Sequence, residues 1–228
     1  MYDEATRIAD YLPIKARDPR VAKLIDHHLS HLLRCVENNL FSSSLVHLHI
    51  LYMIFVYVQI QRIANSNLEA FRYSLIGFSR EEKDLLKEPD YPLLLSVINE
   101  KAAFRFFRLV NADDGTIGMV SEPVDARNKH FHASEDIACE TEQQFGIILR
   151  TYIRNMDKLL ECGRAVIKQS YLNLQNIDRL NERGYEITND DLELGVLVPG
   201  YFSKMDLTLA VGGNRTKLST AIRRELLT

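Results

Sequence analysis

The sequence predicts an all-α protein, a helical bundle with a small mixed C-terminal extension. Three observations lead there. Apolar residues recur every three or four positions over most of the chain, one segment is apolar on nearly every side, and short extended pieces appear only after about residue 176. The chain of 228 residues divides on this reading into a helical domain over 1–176 and an extension over 177–228. It is long enough to bury a substantial core.

The elements follow in order. From Pro19 to about Asn38, Val21, Leu24, Ile25, Leu29, Leu32, Leu33 and Val36 mark one helix face, with Asp18 and Pro19 suited to its start. Asn38 and Asn39 interrupt it, and Ser42 to Ser44 offer N-caps to a long helix containing Leu45 to Ile63. A helix over Leu68–Ile76 comes next. A further one opens at the capping box Ser79-Arg80-Glu81-Glu82 and stops before Pro89. Pro92 starts a helix through Leu93 to Val110, where Phe104, Phe106 and Phe107 alternate with Lys101, Arg105 and Arg108. That mixture is expected to be a core face beside a solvated face rather than an RNA-stacking surface. Asn111 to Gly118 reads as a turn or short hairpin. A second major helix spans Ile137 to about Leu174, with Phe145, Ile148, Leu149, Tyr152, Ile153, Met156, Leu159 and Leu160 as its apolar stripe. In the extension, Tyr185 to Val198 reads as extended pieces, Pro199-Gly200 as a turn and Thr216 to Leu227 as a short helix. Leu207 to Leu226 carries a faint helix-turn-helix pattern, for which a docking element is the favoured reading.

Composition excludes several function classes. Hydrophobic residues make up 46% and charged residues 26% of the chain, a globular and not a disordered profile. A net charge of -3 means that any nucleic-acid contact must come from a local patch. Cys35, Cys139 and Cys162 form no C-x-x-C pair, so neither a disulfide framework nor a zinc site is expected. Asp3, Glu4 and Asp10 beside Arg7 do not suit a secretory leader. Leu45 to Ile63 has the length of a membrane span, yet His47, His49, Gln59 and Gln61 within it suit a buried core helix better. A cytoplasmic protein without a membrane partner is the expectation. Walker, dinucleotide, kinase and nucleophile-elbow motifs do not occur.

Chemistry concentrates in Arg127-Asn128-Lys129-His130-Phe131-His132. A metal-free ribonuclease uses the RNA's own 2′-hydroxyl as nucleophile, and needs a group titrating near neutrality plus a fixed positive charge for the phosphate. Histidine meets the first need and arginine the second. Asn128 can orient or hydrogen-bond but cannot titrate. In one regular helix, Arg127 and His132 would lie about 140° apart. Either Arg127 therefore stands at a helix start, or a second copy completes the site. The competing structural reading pairs Arg127 with Asp125, Glu122 or Glu135 on the surface.

The run Arg127, Asn128 and His132 resembles the R-x4-6-H signature of the HEPN superfamily, in the form where Asn follows the Arg. The resemblance covers residues 18 to 175 and implies a HEPN-like helical bundle with endoribonuclease activity. It implies Arg127, Asn128 and His132 as catalytic residues, Lys129 and His130 as substrate contacts, no metal and no cofactor. It also implies products with 2′,3′-cyclic phosphate and 5′-hydroxyl ends. The implied partners are the RNA substrate, a second copy in a homodimer whose motifs line one cleft, and an antitoxin or other component of an anti-phage defence system. HEPN toxins paired with nucleotidyltransferase antitoxins carry a modifiable Tyr two positions after the His. Here that position is Ser134. A non-catalytic helical RNA- or protein-binding module is the alternative.

Other histidines carry weaker signals. His27 and His31 have the i, i+4 spacing of two metal ligands, but no third-ligand pattern accompanies them. His47 and His49 fall on different faces of their helix and read as polar interruptions.

Overall fold

Twenty-six residues without a continuous polar face have one stable place in water, the middle of a bundle. The computed structural model describes residues 1–87, 92–131, 139–175 and 200–211, and the regular elements among them are all helical. They are α1 (Tyr2–Thr6), α2 (Pro19–Glu37), α3 (Phe41–Ser66), α4 (Leu68–Ser74), α5 (Arg80–Leu86), α6 (Glu100–Ala103), α7 (Asp114–Phe131), α8 (Glu142–Gln175) and α9 (Lys204–Val211), with 3-10 turns over Arg7–Tyr11, Pro92–Val97 and Phe104–Val110. The protein is all-α. α3 is its axis, with α2 and α8 as its principal neighbours. By length and composition α3 could cross a membrane, but 72% of its apolar window is buried inside the protein. Tyr52, Phe55 and Leu48 on α3 are fully buried, as are Phe145 and Leu149 on α8.

Local chemistry sets most boundaries. Asp18 caps α2 by accepting from the Arg20 amide at 2.8 Å, with Pro19 in the first helical position. The helix stops where Asn38 donates its side-chain amide back to the Arg34 carbonyl, 2.8 Å, and Asn39 turns left-handed at φ 57°. The capping box at Ser79 and Glu82 forms as expected. Thr141 and Gln144 cap α8 reciprocally, at 3.2 and 3.1 Å.

Four expectations are corrected. The serines do not cap α3. It starts at Phe41 after Leu40, which makes no side-chain cap; Ser44 instead bonds the Leu40 carbonyl and Ser42 reaches across to the Cys139 carbonyl, 2.9 Å. The single helix expected over Leu93–Val110 is three pieces: Asn99 leaves the helical region and caps α6 by accepting from the Lys101 and Ala102 amides, and α6 passes directly into a 3-10 turn at Phe104. Its aromatic residues Phe104, Phe106 and Phe107 are nevertheless core, as expected. The turn or hairpin expected over Asn111–Gly118 is confined to Asn111, at φ 62°, and its neighbours. Asp113 accepts from the Thr116 amide, 2.6 Å, and α7 begins at once. The helix expected from Ile137 starts at Glu142. Ile137 itself, the extended pieces over Tyr185–Val198, Pro199, the helix over Thr216–Leu227 and most of Leu207–Leu226 lie outside the described residues.

Residues 200–211 pack into the same core. Arg62 and Asp206 pair bidentately at 2.8 Å twice, with Arg62 5% and Asp206 0% exposed. Arg62 also donates to the Gly200 and Tyr201 carbonyls and to Gln59, and its guanidinium lies 4.8 Å over the Phe202 ring. Asp206 in turn accepts from the Ser203 amide at 2.8 Å, while Ser203 Oγ accepts from the Asp206 amide at 3.0 Å, capping α9.

Candidate active site

α7 contains a proline, and its consequences shape the end that carries the motif. Pro123 has no N–H for the Met119 carbonyl one turn back. The buried Asn155 of α8 supplies the missing donor, its Nδ2 standing 3.3 Å from the Met119 oxygen, and Tyr52 of α3 donates to the adjacent Val120 carbonyl at 2.6 Å. α7 is thus fixed to α3 and α8 around Pro123, and Arg127 and Asn128 follow about one turn later.

Arg127 therefore lies well past the start of α7, which begins at Asp114, so the first of the two placements left open by the separation of about 140° does not hold. The reason is tertiary: Gly115, Gly118 and Pro123 suit turns, but packing against α8 and α3 holds the segment helical.

Arg127 Nη2 donates to Glu100 Oε2 of α6. The same oxygen accepts from His49 Nε2 at 3.1 Å, and His49 Nδ1 lies 3.0 Å from the Tyr152 hydroxyl. The arrangement that satisfies all three groups has His49 donating through Nε2–H and Tyr152 donating to Nδ1. The result is a chain Arg127, Glu100, His49, Tyr152 drawn from four helices. It runs from a half-buried rim, where Arg127 is 30% and Glu100 29% exposed, to a core where His49 is 3% exposed. Burial works against the charge on Glu100, but the His49 hydrogen bond and the positive charge of Arg127 outweigh it and hold the carboxyl below its usual range. Tyr57 and Tyr152, which flank the pair, are pushed far above the usual tyrosine range, chiefly by burial. Arg127 Nε is buried without a hydrogen-bond partner among the described residues.

Of the residues the sequence singles out, Arg127 and half-buried Asn128 stand together at the end of α7. Lys129 and His130 continue that helix, and their side chains lie outside the description, as do His132, Ser134 and Glu135. Of the surface partners weighed for Arg127, Asp125 pairs instead with Lys101 at 2.6 Å and Glu135 lies outside the described residues, while Arg127 meets Glu100. The sequence pattern does not mark Glu100, His49 or Tyr57 as site residues, and it places Tyr152 in an apolar stripe. One signal was available: a histidine in the middle of an all-apolar helix must find a buried partner. Among the described residues, no three His, Cys, Asp or Glu side chains stand ready-made to hold a metal ion. No family model, no curated protein and no solved structure matches the chain.

Proposed function

We propose that this protein is a metal-independent endoribonuclease that cleaves RNA by attack of its 2′-hydroxyl, acting in the cytoplasm as a homodimer in a toxin or anti-phage defence system. The observation that carries the reading is the state of Arg127. One edge of its guanidinium is anchored by Glu100 at a half-exposed helix end, beside Asn128 and five residues ahead of His132. A planar cation fixed through one nitrogen in this way is pre-organised to take phosphate oxygens through its other N–H groups as charge builds in the transition state. His132 then acts as general acid or base, Asn128 orients the phosphate, and Lys129 and His130 contact the substrate. The second copy brings its own Arg127 and His132 to the same cleft.

Purified protein is expected to cut RNA in EDTA, leaving 2′,3′-cyclic phosphate ends, and the Arg127→Ala and His132→Ala variants to lose at least about a hundredfold in rate. Equal cleavage by all three proteins would sink the assignment. A second reading, a non-catalytic helical RNA- or protein-binding module, is favoured by the same Glu100 contact, since a carboxylate already occupies part of the guanidinium. It predicts RNA binding that depends on Arg127 without turnover.

A further inference from the structure

Four of the chain's seven histidines meet between α2 and α3. His27, His28 and His31 come from α2, and His47 of α3 faces them. Ring centroids are 4.4 Å apart for His27 and His31, 5.0 Å for His27 and His28, and 5.2 Å both for His28 with His47 and for His31 with His47. His28 Nδ1 and His47 Nδ1 are 2.9 Å apart, a hydrogen bond between two rings that joins the helices. A neutral imidazole has one N–H and one bare nitrogen, so one ring donates through Nδ1–H and the other accepts at Nδ1. One added proton leaves this bond intact, because a protonated donor ring still donates. A second proton puts an N–H on both sides, so the bond is lost and two positive rings confront each other.

The surroundings offer little to offset such charge. α3 carries no carboxylate, and its one permanent charge, Arg62, is committed to Asp206. On α2, Asp26 and Glu37 are exposed, and Lys23 and Arg34 are cations. α1, which also packs on α2, brings exposed Asp3 and half-buried Glu4, and Glu4 pairs with Arg150. Among the described residues, the one histidine paired with a carboxylate is His49, with Glu100. The charges that act on His28 are those of His47, His27 and His31, and on His47 those of His31 and His27, all of one sign. Burial first, and these rings second, lower the proton affinity of His28 and His47. The folded state thus binds fewer protons than the unfolded chain. The stability that the neutral rings contribute is complete above 6.5, the ordinary histidine value, and is lost as pH falls below it through the lower folded values.

We propose that these four histidines form an acid-sensitive latch: at neutral pH the rings hold α2 on α3, and in acid a second proton opens the His28–His47 contact and loosens α2 from the bundle. α2 is the element that yields, because its buried Val21, Ile25, Leu32 and Val36 lie on the helix that carries three of the four rings. α8 meets α3 instead through His49 and Tyr152, where no second histidine stands opposite. The latch is independent of the ribonuclease reading.

The test is hydrogen–deuterium exchange of the full chain at about pH 7.5 and about pH 5, with rates corrected for the intrinsic effect of pH. Protection of α2 is expected to fall at least about tenfold more than that of α8. In His28→Asn and His47→Asn, where an amide that cannot titrate stands in for the Nδ1 group, that excess should shrink to less than about threefold. Glu100→Gln should keep the excess, which separates the latch from the acid response of His49 and Glu100. Histidine-resolved NMR titration of the wild type depends on no variant, and His28 and His47 should titrate below 6.5. Equal loss of protection in α2 and α8, or an excess unchanged in both asparagine variants, would overturn the proposal. So would loss of the excess in Glu100→Gln, or titration of both rings at or above 6.5.

Discussion

Glu100 Oε2 accepts hydrogen bonds from both Arg127 and His49, so one oxygen joins a helix end to the bundle core. Because its folded-state pKa lies below the usual carboxylate value, its contribution to stability is complete above that value and is lost as pH falls through the lower, folded one. Glu100→Gln is therefore expected to lower the thermal midpoint near neutral pH by about 2–4 °C and to flatten the acid side of the stability profile. Thermal unfolding of both proteins across acid and neutral pH checks this, and identical acid slopes would refute it. Arg127 and Asn128 were legible as a string, since their chemistry resides in residue type and spacing. Their supports were not. Glu100 lies 27 positions from Arg127 and 51 from His49, separations over which only the packed fold decides what meets.

At the scale of elements, α7 illustrates how a helix can hold sequence features that argue against it. Asn155 replaces the donor that Pro123 lacks, so Asn155→Ala strands a buried carbonyl and should cost about 1–3 kcal/mol in chemical denaturation. Asn155→Ala combined with Pro123→Ala, which returns an N–H to the helix, should recover part of that loss. The sequence made α2 and α5 readable through their caps, and the apolar stripe of α8 readable through periodicity alone, although its start falls at Glu142 and not at Ile137. It misplaced the start of α3 and joined three pieces into one over Leu93–Val110, because Asn99, inside an apolar stretch, competes for backbone amides in a way periodicity does not register. α7 was hidden by Gly115, Gly118 and Pro123, whose turn preference is overridden by contacts with other elements.

For the whole molecule, the decisive tie is the buried ion pair between Arg62 and Asp206. Each partner is satisfied by backbone groups and by the other, so removing either leaves an uncompensated charge in the core. Arg62→Ala and Asp206→Ala should each cost about 3–5 kcal/mol, while Arg62→Met combined with Asp206→Leu should cost much less than their sum. Denaturation of the three variants as a cycle measures the difference. None of this pairing could be foreseen, since 144 residues separate the partners.

The same tie sets an order in time. The first turns of the chain lie beside its late residues: the Ile14 amide donates to the Phe202 carbonyl at 2.9 Å, the Tyr11 hydroxyl donates to Asp157 at 2.6 Å, and Lys204 stands 3.3 Å from Asp10. A nascent chain that has emerged only as far as α8 holds every described helix except α9 and already has Asp157 for Tyr11, yet Arg62 has no Asp206 to meet, and Ile14 and Asp10 lack their partners Phe202 and Lys204. The ribosome must release residue 206 before the central helix can close over its charge, so the core formed early in synthesis stays provisional until α9 arrives.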